Sequence, residues 1–490
     1  MHPTLRRLAA ITVLVSFGGI MSCAINPVTG RNEIMLISEN AEVEMGKSTD
    51  ISIKQQFGFY EDPKLSAYVE KVARRLVPHL HRKNLEYHFA VLDTPIENAF
   101  AAPGGYIYVT RGLLAMMNSE AELSTVIGHE LGHVNARHSA REMSKQLLLT
   151  GGVVLASVLS KDVAKFAPYM LIGLQVLFLK YSRDDEYQAD SLGIQYARDA
   201  GYASTQMIPF FTSIKKLEEN AGGGLKLPNF LSTHPLTDAR IEEARKQLQP
   251  IDGEMDILRD DFLAKMDGLV YGNDPRQGYV DGNAFFQPEM KFAFSFPEGW
   301  TLQNSPKQVV MGSKDEKAAL FLSAEWTDKE PGAYLQEQLA DFTDVQISEI
   351  SKGSRRINGL NAFRGVYQVS PKPAEGETVD PAKTATVNID CIQKDGFIYT
   401  FLGTAAKTDF PAYENAIERT VRSFQTLSDA KRLSVQSQTI SIRRPGANQT
   451  LKSFLTGLNV PSARWKAIEF LNSIGLEDQV VKGQLIKITN

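Results

Sequence analysis

Cysteine is almost missing from this chain: Cys23 and Cys391 are the only two in 490 residues. A disulfide framework is thereby excluded, and the cores must be held by packing. An excess of positive charge is missing too. Lys and Arg number 53 against 57 Asp and Glu, for a net charge of -4 and a pI of about 6.1. That excludes the basic field by which proteins bind a phosphate backbone, so nucleic acid is not an expected partner. Nor is there a clean membrane span. The most apolar stretch, 146–179, is cut by Lys161, Asp162 and Lys165 into runs of 15 and 14 residues, each short of the roughly 20 that a bilayer core requires. Histidine is scarce, with 8 in the chain, so any clustering of it carries information. The rest is ordinary globular composition, 43% hydrophobic and 22% charged, enough for about three domains with sizeable cores.

The first 22 residues follow the export pattern, with Arg6 and Arg7 ahead of an apolar stretch of 13 residues from Leu8 to Ile20. Ile20-Met21-Ser22-Cys23 resembles the bacterial lipobox, although Met21 departs from the usual small residue there. The expectation is a signal peptide over 1–22 and a lipid on Cys23, with simple cleavage and secretion as the alternative. Ala24 is not the Asp associated with inner-membrane retention, so the expected location is periplasmic, lipid-anchored to the outer membrane of a Gram-negative cell. Cys391 lies in the alternating run Thr386–Ile392 and reads as a packed core thiol.

The chain reads as α+β and multidomain. A mainly helical domain with a small sheet is expected over 23–252. A linker over 253–282 is marked by Asp252-Gly253, Gly272-Asn273-Asp274-Pro275 and Asp281-Gly282-Asn283. From 283 to 428, strand-like runs at 291–296, 319–322 and 397–401 alternate with helical patterns at 332–342 and 411–424, an α+β module. Its Phe296-Pro297-Glu298-Gly299-Trp300 resembles modules related to the photosystem protein PsbP. Residues 434–490 read as a small βααβ module. Gln449-Thr450-Leu451 and Val481-Lys482-Gly483-Gln484 give it the look of a degenerate LysM repeat, for which peptidoglycan binding and a structural or protein-docking role are equally open.

The chemistry is concentrated at Gly128-His129-Glu130-Leu131-Gly132-His133. Residues i and i+4 share a helix face, so His129 and His133 can hold one Zn²⁺ while Glu130 projects beside it as general base. With 8 histidines in 490 residues, an H-E-x-x-H arises by chance in at most about two of a hundred such chains. Ser119 and Glu122 form a capping-box pattern, and Leu123, Val126, Ile127, Leu131 and Val134 supply an apolar stripe, placing the motif in an amphipathic helix. Gly128 and Gly132 weaken that helix by about 1 kcal/mol each, which makes sense if something packs close to the metal face. A zinc hydrolase needs a third ligand and an open fourth position. Glu186 is the candidate, with Asp190 one turn on as hydrogen-bond partner of a ligating imidazole; Asp184 and Asp185 read as a solvated face. His234 and Arg240 are candidates to stabilise a tetrahedral oxyanion. His234 could instead cap the metal as a gating ligand.

Residues 24–250 resemble the gluzincin family that includes the CAAX prenyl proteases, the membrane protease HtpX and soluble periplasmic lipoprotein relatives. The likeness rests on H-E-x-x-H, on the E-x-x-x-D at 186–190, on Asn26-Pro27-Val28-Thr29-Gly30-Arg31 and on Asn98–Val109. It implies a zincin fold, one Zn²⁺, and an edge strand through Asn98, Ala99, Phe100 and Ala101 where a substrate backbone adds by β-augmentation; a plain hairpin with a Pro-Gly-Gly turn is the other reading. The 146–179 region then reads as a helical hairpin over the site, shallow membrane contact being the alternative. The function expected is a zinc metalloendopeptidase acting on unfolded or misassembled envelope proteins in quality control. A periplasmic assembly or chaperone-like factor with gated proteolysis is the alternative.

Overall fold

The computed structural model describes residues 23–149, 181–220, 230, 233–343, 345–372 and 383–490. The expected signal peptide, residues 1–22, and nearly all of the 146–179 region lie outside these. Among the described residues no helix is long and apolar enough to cross a membrane. The chain is α+β and divides into two compact units, one of residues 1–272 with 438–490 and one of 273–437.

The first unit opens with a hairpin of β1 (Cys23–Ile25) and β2 (Asn32–Ile34). Two helices follow, Glu39–Phe57 and Pro63–Leu76, the second capped by Asp62, whose side chain accepts from the Lys64 and Leu65 N–H groups. A three-stranded sheet comes next: β3 (His88–Leu92) runs parallel to β5 (Tyr106–Thr110), and β4 (Ala99–Ala102) pairs with β5 antiparallel as an edge. Pro103–Gly105 makes the β4–β5 turn, with Gly104 and Gly105 at φ of 76° and 96°, values that glycine adopts without a Cβ clash. The motif helix Glu120–Asn135 is buried at every position. The polar side of the expected amphipathic helix is buried as well as its apolar stripe. Its open N-terminal N–H groups are met by Ser119 Oγ, which accepts from Glu122 N at 3.0 Å, and by the Leu258 and Ile257 carbonyls, which accept from Glu120 and Ala121. Glu122 reaches back to Asn118 N at 2.6 Å, one residue before the position a capping box uses.

Those carbonyls come from the stretch expected as a linker. Residues 253–272 instead carry helix Arg259–Lys265, whose Phe262 and Leu263, with Met266 and Leu269, are part of the main core. Asp-Gly and Asn-Asp-Pro signals mark turns correctly, but turns alone do not separate domains.

The second unit holds β6 (Tyr279–Asp281), β7 (Ala284–Gln287), β8 (Phe292–Ser295), β9 (Thr301–Asn304), β10 (Gln308–Gly312), β11 (Ala318–Trp326), β12 (Val345–Ile357), β13 (Leu360–Pro371), β14 (Ala385–Lys394), β15 (Phe397–Ala406) and β16 (Gln425–Thr426). Seven form an antiparallel sheet in the order β12-β13-β14-β15-β11-β10-β9, and four a second sheet, β16-β8-β7-β6. The period-2 alternation of β15 sends Tyr399 and Phe401 to one core with Ile417 and Val421 of helix Phe410–Ser423. It sends Ile398 to another core with Tyr334 and Leu335 of helix Pro331–Ala340. Cys391 sits in this latter core, fully buried, and burial pushes its thiol up to about 12, as an inert packing residue requires.

The last residues return to the first unit. There β17 (Ile440–Arg443) pairs with β20 (Ile486–Thr489), and the short β18 (Gln449–Thr450) with β19 (Gln479–Val480). Helices Leu451–Gly457 and Trp465–Asn472 lie between them in sequence. This segment is not set apart from the motif domain: Ile440, Leu471 and Leu485 belong to the main core. Lys487, fully buried, donates to the Ala115 and Met117 carbonyls at 2.7 and 2.8 Å, just ahead of the motif helix. The chain leaves and re-enters this unit at one place, where Gly268 N donates to Ile440 O, Ile440 N to Leu269 O and Tyr271 N to Gln438 O, all at 2.8 Å.

Candidate metal centre

The helix Arg183–Asp199 brings the second half of the site to the first. It is capped by Ser182, in a capping box with Asp185. Small residues let it approach the motif helix closely. A Cβ on Gly128 would lie 3.0 Å from Gly193 O, one on Gly132 3.1 Å from Ala189 Cα, and one on Gly193 2.9 Å from His129 N. The two motif glycines thus serve the packing expected of them, and the neighbour is the backbone of the ligand helix.

Across this seam His129, His133, Glu186 and His234 converge, each offering a donor atom, all within 4.8 Å of one another. His129 Nε2 is 3.1 Å from His133 Nε2, 3.2 Å from His234 Nδ1 and 3.7 Å from Glu186 Oε2. Glu186 Oε1 is 3.6 Å from His133 Nε2 and 3.0 Å from His234 Nδ1. Four donors held tetrahedrally at 2.0–2.1 Å from one zinc ion stand roughly 3.4 Å apart, so the spacing fits a single small cation.

The surrounding hydrogen bonds fix the imidazole tautomers to match. Asp190 Oδ1 lies 2.9 Å from His129 Nδ1, the partner expected of it, so that nitrogen donates and Nε2 keeps its lone pair for the cluster. For His133 the chain is longer. Gln188 Oε1, an acceptor, is 2.9 Å from His138 Nε2, and His138 Nδ1 is 2.9 Å from His133 Nδ1. His138 therefore donates to Gln188 and accepts from His133, which again leaves His133 Nε2 free to ligate. Burial holds both His133 and His138 below the ordinary imidazole range, His138 at about 3, in keeping with neutral rings. The Tyr181 ring stacks on His133 at 4.0 Å between centroids.

Arg240, the other expected oxyanion donor, is held by the carboxylates of the site. Its Nε and Nη2 hold Asp190 at 2.8 and 2.7 Å, Nη1 is 2.6 Å from Glu186 Oε2, and Nη1 also donates to Pro235 O at 3.1 Å. The guanidinium is engaged in orienting carboxylates. Burial would raise both carboxyls, but Arg240, together with His129 and with His234 at Glu186, outweighs it and keeps them below the usual range. Glu130 differs. Burial is the largest influence on it and raises it. Among the described residues one of its oxygens, Oε1, has no hydrogen-bond partner, and it lies 3.5 Å from His234 Nε2. An orphaned carboxylate oxygen beside a cluster of nitrogen donors is what a general base presents when its partner is not a protein group.

Asn98, Ala99, Phe100 and Ala101 lie at the start of the edge as expected, and the Ala101 N–H reaches Glu130. Asp185 is not on a solvated face. It is buried, caps its helix, and pairs with Arg141 and with His138; Asp184 alone is exposed. His138, Gln188, Tyr181 and Phe230 were not legible as site residues. His138, five residues beyond His133, was the one available signal.

Two imidazoles from one helix, a carboxylate from a second and a free glutamate beside the first imidazole define a metal-dependent hydrolase site of the zincin kind. Residues 63–248 match the model of peptidase family M48. The chain is 30% identical over 258 residues to the beta-barrel assembly-enhancing protease of Yersinia pestis, covering 51% of this chain and 52% of the relative. To the mitochondrial metalloendopeptidase OMA1 of Arabidopsis thaliana it is 33% identical over 201 residues, covering 40% and 39%. The chain thus spans about half the length, or less, of these relatives. Among solved structures, that of cyanobacterial PsbP from Synechocystis is similar at 15% identity and a TM-score of 0.25, over 30% of this chain and 94% of that one.

Proposed function

We propose that this protein is a zinc metalloendopeptidase that hydrolyses peptide bonds of unfolded or misassembled envelope proteins. The observation that carries the reading is the orphaned Glu130 oxygen beside the donors His129, His133 and Glu186. A zinc ion held there supplies Lewis acidity toward a carbonyl and lowers the pKa of water. Glu130, its affinity for protons raised by burial, takes the proton of the attacking water and delivers it to the leaving amine. Asp190 and His138 keep the two imidazoles in the ligating tautomer, Arg240 holds Glu186 and Asp190 in place, and the edge of β4 receives the substrate backbone. The names of the bacterial relatives support envelope proteins, β-barrel proteins among them, as substrates, and the export pattern with Cys23 supports a lipid-anchored periplasmic enzyme at the outer membrane. For the LysM-like segment over 434–490, peptidoglycan binding and a structural or protein-docking role stand as equal proposals. Purified protein should contain one zinc per chain and cleave an unfolded protein; equal cleavage by Glu130→Gln would defeat this mechanism.

A second reading is favoured by His234. Its Nδ1 stands among the donors, in the place a catalytic site keeps open, which supports an assembly or chaperone-like factor whose proteolysis is gated. A rise in cleavage on His234→Ala favours the gate, and a fall favours a catalytic His234.

A further inference from the structure

We propose that Phe230 occupies the pocket for a substrate side chain, so that the site selects a large apolar residue, aromatic above all, beside the bond it cuts. This rests on the peptidase reading above. Phe230 is 1% exposed although it adjoins the polar donor set. Its N–H donates to Glu97 O at 3.0 Å, just before the edge strand β4. Asn98, the next residue, bonds inward: its O accepts from Thr110 N, and its N–H donates to Thr110 Oγ1. The Glu97 carbonyl is not taken up by the pairing of β4 with β5, so the bond from Phe230 is the kind an added strand makes. The Phe230 ring meets Phe210 edge-on at 5.9 Å and lies 6.5 Å from the His129 ring, and its carbonyl accepts from His234 N at 2.8 Å. One short stretch of chain therefore supplies a main-chain bond to the edge, an aromatic ring to an apolar wall and a ligand atom to the donor set. A bound peptide would supply the same three. A residue whose carbonyl neighbours the donor set is within reach of that wall, and a small or charged side chain there would forgo the ring contacts or bury a charge.

The test is a set of peptides identical except for one position, Phe, Leu, Ala or Asp, in a Gly-Ser context. Binding to full-length Glu130→Gln is read by fluorescence anisotropy, and cleavage by His234→Ala is read by mass spectrometry. The Phe peptide is expected to bind at least tenfold more tightly than the Ala peptide, with Asp weakest, and the cut should fall beside Phe. Emptying the pocket in Phe230→Ala, Glu130→Gln should tighten the Phe peptide more than the Ala peptide. Equal affinities across the set, or tightening of all peptides alike, overturn the proposal. Phe-selective binding without cleavage of any peptide by either wild type or His234→Ala would leave the pocket standing and defeat the peptidase reading instead.

Discussion

Replacing Gly193 with alanine isolates the close approach of the two site helices from every chemical group in the site. The new Cβ would stand 2.9 Å from His129 N, 3.1 Å from Thr125 O and 3.2 Å from His129 Cα. All three are backbone atoms of the motif helix and cannot rotate aside. Carbon contacts are comfortable from about 3.5 Å, so the helices must part by roughly half an ångström. Overpacking of this kind costs about 1–3 kcal/mol. Alanine in a helix interior returns about 1 kcal/mol relative to glycine, leaving a net loss of roughly 0–2 kcal/mol in unfolding free energy. The site feels the separation more strongly, because Glu186 and Asp190 ride on the Gly193 helix while His129 and His133 ride on the other. Disturbing the partners of metal ligands typically lowers metal affinity about 10- to 100-fold, and that loss is expected here. Urea unfolding and zinc retention against a graded series of chelators measure the two effects on one preparation. A variant that gains the full helix-propensity increment and keeps its zinc would refute the close-packing argument.

Arg240→Met should be the more damaging change to the fold, since it leaves Asp190 and Glu186 buried beside each other without their cation; a loss of about 3–5 kcal/mol is expected by chemical unfolding. Glu130→Gln should retain zinc and wild-type unfolding while peptide hydrolysis falls about 10²- to 10⁴-fold, a split that activity and metal analysis read together. Lys487 is held down to about 7 by burial. Between pH 7 and its unfolded value the unfolded chain binds the extra proton, so this lysine's contribution to stability grows as pH rises and is lost as pH falls toward 7. The stability of wild type relative to Lys487→Met should accordingly rise from pH 7 to pH 10, by at most about 1.4 kcal/mol per unit; a flat difference would argue against a neutral buried amine.

How much of this could be read from the chain depends on the range of the interaction. His129, Glu130 and His133 follow from helix periodicity, and Glu186 with Asp190 from the same period on a second helix. Their mutual approach leaves only indirect marks, the glycines at 128, 132 and 193. Asp185 looked solvated because its partners, Arg141 and His138, lie more than forty residues away in sequence, and nothing local to Arg240 shows that it holds Asp190. The supposed linker failed for a related reason. Turn signals around Phe262 and Leu263 are visible, but the cavity those side chains fill is made by other helices.

The paired backbone bonds where Gly268, Leu269 and Tyr271 meet Gln438 and Ile440 make residues 273–437 an insertion with adjoining ends. The entropy of closing a loop depends on its length only logarithmically, so the half that carries the motif helix is nearly indifferent to what is spliced there. A chain with 273–437 exchanged for a few glycines and serines should still assemble the motif helix and its brace at Lys487. The second unit is then a cassette that can be traded for another without redrawing the half that holds the donor cluster.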